Sequence, residues 1–166
     1  KTGDAARAQA EIQASYIIAI QRPRDETAAF IALEKTCKRH TFAERAEYLF
    51  PKGGKDIRGA SIHLAREAMR VWGNMRTGFR VVSDDDERRT LEAYAVDLET
   101  NAYSARQTTF KKEVYRKSAG EKQKVLLNEF EHDREIRELT NRNASLLIRN
   151  CILDIIPEDI VDNART

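Results

Sequence analysis

The chain has 166 residues, 34% of them charged and 41% hydrophobic, with a formal net charge of +2. That is enough chain for one sizeable domain under a solvated surface. It holds no apolar run of about 18 residues, which excludes a spanning helix, and its opening Lys1-Thr2-Gly3-Asp4 begins no apolar leader.

The sequence does not start with methionine, which reads as a piece of a longer or processed chain. Cys37 and Cys151 fall on apolar helical faces. They read as buried small hydrophobes in a reducing cytoplasm, the expected location. A net charge this small argues for no polyanionic partner by itself, so its distribution matters more.

Asp4 to Gln21 is patterned as a helix, with Ala8, Ile12, Ser15 or Tyr16, and Ala19 on one side. Arg22-Pro23-Arg24 breaks it. Asp25 then caps a second helix that buries Ala29, Phe30, Leu33 and Cys37. Lys35, Lys38, Arg39 and His40 crowd its end, where cations complement the helix dipole. Thr41-Phe42-Ala43-Glu44 has the spacing of a capping box and starts a short third helix.

From Glu47 to Gly59 the pattern changes to two short extended runs around Lys52-Gly53-Gly54-Lys55, a cationic hairpin. A phosphate-binding P-loop does not fit, because Asp56 stands where Ser or Thr should follow the lysine. Ala60 to Trp72 is helical, with Ile62, Ala65, Met69 and Trp72 buried and Ala68 at the margin. His63, Arg66 and Arg70 form a second stripe, either merely solvated or facing a phosphate backbone beside the Lys55/Arg58 turn.

Three strands follow, 78–83, 90–99 and 102–110, with an acidic turn at Asp84–Glu87 and a tight one at Thr100-Asn101. A two-residue turn there sets Asp97 opposite Ser104 and Ala95 opposite Arg106, and Arg106, Thr108 and Phe110 share a face. Between Arg106 and Lys124, Arg106, Lys111, Lys112, Arg116, Lys117, Lys122 and Lys124 meet only Glu113 and Glu121. With Gly120 in its middle, 111–124 reads as an exposed basic loop, and 125–130 as a helical turn. Asp133 to Ile156 is one long helix. Ile136, Thr140, Ala144, Leu147, Ile148, Cys151 and Ile155 form its buried face, with Arg142, Ser145 and Arg149 opposite. Pro157 ends it, and a short helix spans 158–163.

The expected class is therefore α+β: a three-stranded antiparallel meander followed by a long packing helix, a β-β-β-α core, with N-terminal helices and a small hairpin. Residues 1–46 form a helical region suited to subunit contacts. Residues 47–166 form the core, and the whole makes one compact domain.

The strongest catalytic pattern is Asp97-Leu98-Glu99-Thr100, which resembles the first motif of DnaQ-type exonucleases, where two carboxylates hold metal ions. The later aspartates do not follow: Arg137 stands five residues after His132. As plain strand-end residues, Asp97 and Glu99 are solvated or pair with Arg106. His40, His63 and His132 have no supporting motif and no GxGxxG is present, so neither covalent chemistry nor a cofactor is expected. Binding remains. Lys52, Lys55, Arg58, His63, Arg66, Arg106, Lys111, Lys112, Arg116, Lys117, Arg142 and Arg149 come from separate elements, and their convergence would make a groove for a phosphate backbone. Tyr103 and Tyr115 are placed to stack on bases, though Tyr103 suits a core equally.

The order of elements, carried by GASIHLAREAMRVWGN, YAVDLETN and NRNASLLIRNCILDIIP, resembles phage single-strand annealing proteins of the RecT, Red-beta and Erf kind, over roughly Glu47 to Val161. The resemblance implies ATP-independent pairing of complementary DNA strands in phage recombination. It also implies homo-oligomeric rings or filaments, single-stranded DNA and annealed duplex as ligands, and a partner exonuclease or host single-strand binding protein. It assigns backbone contacts to Arg142 and Arg149 on the long helix, to Lys52, Lys55 and Arg58 on the hairpin, and less directly to Lys111, Lys112, Arg116 and Lys117. Leu146 and Leu147 depart from it, standing where a further cation would be expected. The alternatives are a non-enzymatic phage regulator or protein-interaction module, and then a metal-dependent nuclease using Asp97 and Glu99.

Overall fold

The computed structural model describes residues 2–118 and 120–165; the side chains of residues 2, 55–57, 118 and 165 lie outside the described set. The fold is α+β, and a single long helix, α5 (Asp133–Ile155), organises it by lying across a three-stranded antiparallel sheet. The strands are β3 (Met75–Asp84), β4 (Arg88–Asp97) and β5 (Tyr103–Lys111), with β4 in the centre. β4 alternates cleanly: Leu91, Ala93, Ala95 and Asp97 are buried, with half-buried residues between them. Two small alanines in that row let α5 come close, and the Cys151 thiol lies 3.5 Å from the Ala93 carbonyl.

The buried face of α5 is Ile136, Thr140, Ala144, Leu147, Ile148, Cys151 and Ile152. The three-and-four spacing thus locates the face, but its last member is Ile152, and Ile155 is only half-buried. The reason lies beyond Pro157. Helix α6 (Glu158–Arg165) brings Val161 and Ala164 into the core with Ile152 and Ile156, so the stripe drifts along the 148–152–156 row.

Upstream, α1 (Thr2–Gln21), α2 (Glu26–Cys37) and α3 (His40–Ala46) precede a hairpin of β1 (Glu47–Lys52) and β2 (Lys55–Ala60), then α4 (Ile62–Trp72). Asp25 caps α2 as expected, its side chain accepting the Ala28 N–H at 2.9 Å. Helix α3 instead begins at His40 with no side-chain cap, which puts Thr41 inside the helix, so the capping box does not form. Helix α4 buries Leu64, Ala65, Ala68 and Trp72, while Ile62 and Met69 are half-buried. Ser61 is its cap, and this fixes the rotation that turns Leu64 inward. Ala29, Leu33 and Ala46 share this one core. Of the side expected for α1, only Ala19 is buried, and Ile12, Ile17, Ile18 and Ile20 are exposed.

Two further expectations are corrected. The β4–β5 connection is longer than two residues: Ala95 pairs with Ser104 and Ala93 with Arg106. Asp97 ends β4 opposite Met75, its N–H donates across the turn to the Ala102 carbonyl, and its side chain makes the turn. Its carboxylate accepts the N–H groups of Glu99 and Thr100, and Asn101 takes a positive φ of 59°. The basic stretch is not a loop but a second hairpin, β6 (Glu113–Ser118) and β7 (Glu121–Leu126), and the turn expected over 125–130 falls later, where the His132 N–H bonds to the Asn128 carbonyl just before α5. Among the described residues no helix is long and apolar enough to cross a membrane.

Candidate nucleic-acid interface

A groove of about 480 Å³ runs between the β1–β2 hairpin, the start of α4 and the solvent side of α5. Ile62, Leu139 and Leu146 give it apolar walls; Ser61, Arg142, Asn143, Ser145 and Arg149 give it polar ones. Arg142 and Arg149 stand seven residues apart, about 10 Å along the helix axis. Arg142 is exposed and has no ion pair among the described residues.

Arg149 is held in place. Its guanidinium lies 4.8 Å from the centre of the Tyr48 ring and donates to the Asn150 side chain at 3.1 Å. The same ring packs on Gly59, its cross-strand partner. A Cβ at position 59 would come within 2.5 Å of the ring, so only glycine leaves it room. Sequence reasoning missed Tyr48. The signal was an aromatic residue facing a glycine across a short hairpin, a pairing in which the ring covers the bare backbone.

The twelve expected cations do not converge. Arg142 and Arg149 line the groove. Lys52 is exposed at the hairpin end beside Gly53 and Gly54, both at positive φ. Arg58 is exposed and only loosely paired with Glu47, at 4.0 Å. The Lys55 side chain lies outside the described residues. His63 and Arg66 are exposed on α4 and do not line the groove. Arg106 is taken up structurally: it grips Asp154 of α5 at 2.7 and 2.8 Å and thereby holds that carboxyl below the usual carboxylate range. Lys111, Arg116 and Lys117 lie at the end of β5 and on β6, outside the residues that line the groove. There Arg116 binds both oxygens of Glu135, at 2.9 and 3.0 Å. Tyr103 is exposed on the outer sheet face and stacks on Tyr94, 6.5 Å between centres.

Lys112 is the clearest correction. Its side chain is 4% exposed, reaching Asp84 at 2.8 Å, Glu129 at 3.1 Å and the Asp85 carbonyl at 2.7 Å. Arg89 joins the cluster through Asp84, Glu129 and Thr140. Lys111 and Lys112 are neighbours in sequence, but the chain leaving β5 points one outward and one inward. The cluster pins the base of the β6–β7 hairpin, where the Lys112 N–H donates to Glu87 and the Lys112 carbonyl accepts from Leu127. Arg89, above all, holds the Asp84 carboxyl down to about 2.

A folded-state value below the unfolded value of about 3.9 gives stability that is complete above pH 4 and lost as the pH falls through 2. The Lys112 and Leu127 amides should therefore lose protection from hydrogen exchange between pH 4 and 2, ahead of the β4 amides. Simultaneous loss at all of these amides would contradict a locally pinned hairpin.

Neither Asp97 nor Glu99 pairs with Arg106; Asp97 is buried, whereas Glu99 stays exposed to solvent. Arg24 reaches across from the α1–α2 link to hold both, at 2.9 and 3.3 Å. Burial pushes the Asp97 carboxyl up, but Arg24 and the turn N–H groups outweigh it and leave it below its ordinary value. Among the described residues no group of three His, Cys, Asp or Glu side chains is arranged to hold a metal ion. Comparison with known proteins adds no relative: no family model, curated protein or solved structure matches this chain.

Proposed function

We propose that the protein binds single-stranded DNA in the groove between α5 and the β1–β2 hairpin and pairs complementary strands without ATP, in the manner of the annealing proteins it resembles in sequence pattern. The observation that carries this reading is the pair Arg142 and Arg149 set above apolar groove walls, one with no ion pair among the described residues and the other fixed on Tyr48. The arginines neutralise nearby phosphates of one strand. Ile62, Leu139 and Leu146 offer apolar surface to bases, which only an unpaired strand can present to it. Base pairing then supplies the free energy, so no nucleotide is hydrolysed. On this reading the protein works as a homo-oligomer, ring or filament, in the cytoplasm of a bacterial host, alongside a partner exonuclease or single-strand binding protein.

The test is annealing of two complementary oligonucleotides without ATP or magnesium, at two salt concentrations. Arg142→Ala/Arg149→Ala should bind a single strand about 10- to 100-fold more weakly at low salt. Two contacts at about −0.7 each should also flatten the logarithmic salt slope by about 1.4. Wild-type protein that neither retains single strands nor speeds annealing at low salt would sink the reading. The isoleucines exposed on α1 favour a second reading, a protein-interaction module or small regulator. In that case the protein sediments as a monomer or dimer and ignores DNA.

A further inference from the structure

We infer that the outward face of the β6–β7 hairpin is a second nucleic-acid surface, separate from the groove, which takes the phosphate backbone of the second strand. This inference rests on the annealing reading and divides the work between two sites. The register Tyr115↔Lys124 and Lys117↔Lys122 puts these four residues on one side of a two-stranded ribbon. Arg116, reaching Glu135, and the half-buried Val114 and Val125 mark the other side as the one turned to the body of the protein. Tyr115 and the three lysines therefore face solvent, with the Tyr115 ring 66% exposed. The carboxylate on their side is Glu113, at the base of the ribbon and already engaged by Lys124 at 3.1 Å.

The ribbon is held at two points. The buried Lys112 cluster holds its base, and Arg116 reaches Glu135 of α5 from the middle of β6. Lys122 and Lys124 stand about 7 Å apart along β7, a spacing of the order of that between successive phosphates on an extended strand. Lys124 sits 5.5 Å from the Tyr115 ring centre, so cation and aromatic surface are offered together. Polyanionic strands with bases match that combination; an acidic peptide or an anionic membrane uses the lysines and leaves the ring idle. None of the groove-lining residues comes from β6 or β7. A protein that pairs two strands must hold both while their backbones repel, and two separated cationic surfaces do this better than one.

The test compares wild type, the groove variant Arg142→Ala/Arg149→Ala and the arm variant Lys117→Gln/Lys122→Gln/Lys124→Gln, whose exposed positions leave the fold intact by circular dichroism. The readouts are fluorescence anisotropy of one labelled oligonucleotide, strands bound per protomer at saturation, and the annealing rate. The arm variant should keep first-strand binding within about twofold, bind one strand where wild type binds two, and anneal about tenfold more slowly. Annealing at the wild-type rate overturns the second surface while leaving the groove reading intact. First-strand binding lost as fully as in the groove variant also overturns it, since the cations then form one site. Wild type that binds anionic vesicles through the arm and no oligonucleotide overturns both readings. Wild type that binds two strands, one lost with the arm, without ever annealing them supports the surface and removes the annealing function.

Discussion

Arg24→Ala is expected to lower the unfolding free energy by about 3–5 kcal/mol at neutral pH, because it strands a buried charge. Arg24 and Asp97 are 5% and 4% exposed and bonded at 2.9 Å. The same guanidinium donates to the carbonyls of Trp72 and Gly73, at the end of α4, and lies 4.4 Å over the Trp72 ring. One side chain thus ties the α1–α2 link, the end of α4 and the β4–β5 turn together.

Removing it reverses the titration of Asp97. In the wild type its pKa lies below the ordinary value, so its contribution to stability is present above about pH 4 and lost on further acidification. Without Arg24, burial dominates and raises the folded-state pKa, so the variant loses stability as the pH rises. The cost in urea denaturation should be largest at pH 7 and shrink as the pH falls through 4 and below, and Arg24→Ala/Asp97→Asn should recover part of it. A cost under about 1 kcal/mol, within the range of exposed pairs, would show that the bridge is solvated; a cost independent of pH would show that Asp97 is not the charge stranded.

This arrangement also marks where sequence reasoning stops. The long helix, the Asp25 cap and the three strands are legible because each is specified by neighbours within a few residues: a period of three and four, a side chain three positions from its N–H, an alternation of two. Arg24 sits in a segment legible only as a helix breaker, and its partners lie 48 to 75 residues away. Lys112 looks like every other cation in a basic run, and what buries it is Asp84 and Glu129, brought from β3 and the turn before α5. Whether a cation is a ligand contact or an internal strut depends on which carboxylate tertiary structure sets opposite it, and spacing along the chain does not carry that information. The same limit explains the register of β4 and β5: the Asp97 side chain closes a turn longer than two residues by accepting the Glu99 and Thr100 N–H groups, and the arginine that holds that carboxylate comes from a distant segment.

Ile152→Ala is expected to cost about 2–5 kcal/mol, and Ile155→Ala distinctly less. The two residues are three positions apart on α5, and periodicity taken from Cys151 favours Ile155 as the buried one. Ile152 is fully buried, whereas Ile155 is half-buried at the edge of the core. The difference comes from α6, which turns back at Pro157 and packs Val161 and Ala164 into the cluster that holds Ile152 and Ile156. Truncating Ile152 therefore opens a cavity where three elements meet, and none of them can relax into it without losing its own contacts. Truncating Ile155 removes methyl groups that water already reaches in part. Urea midpoints of the two variants, at equal m-values, decide the matter. Equal costs, or a larger one at Ile155, would mean that α5 keeps its buried stripe straight to the end and that α6 does not complete the core.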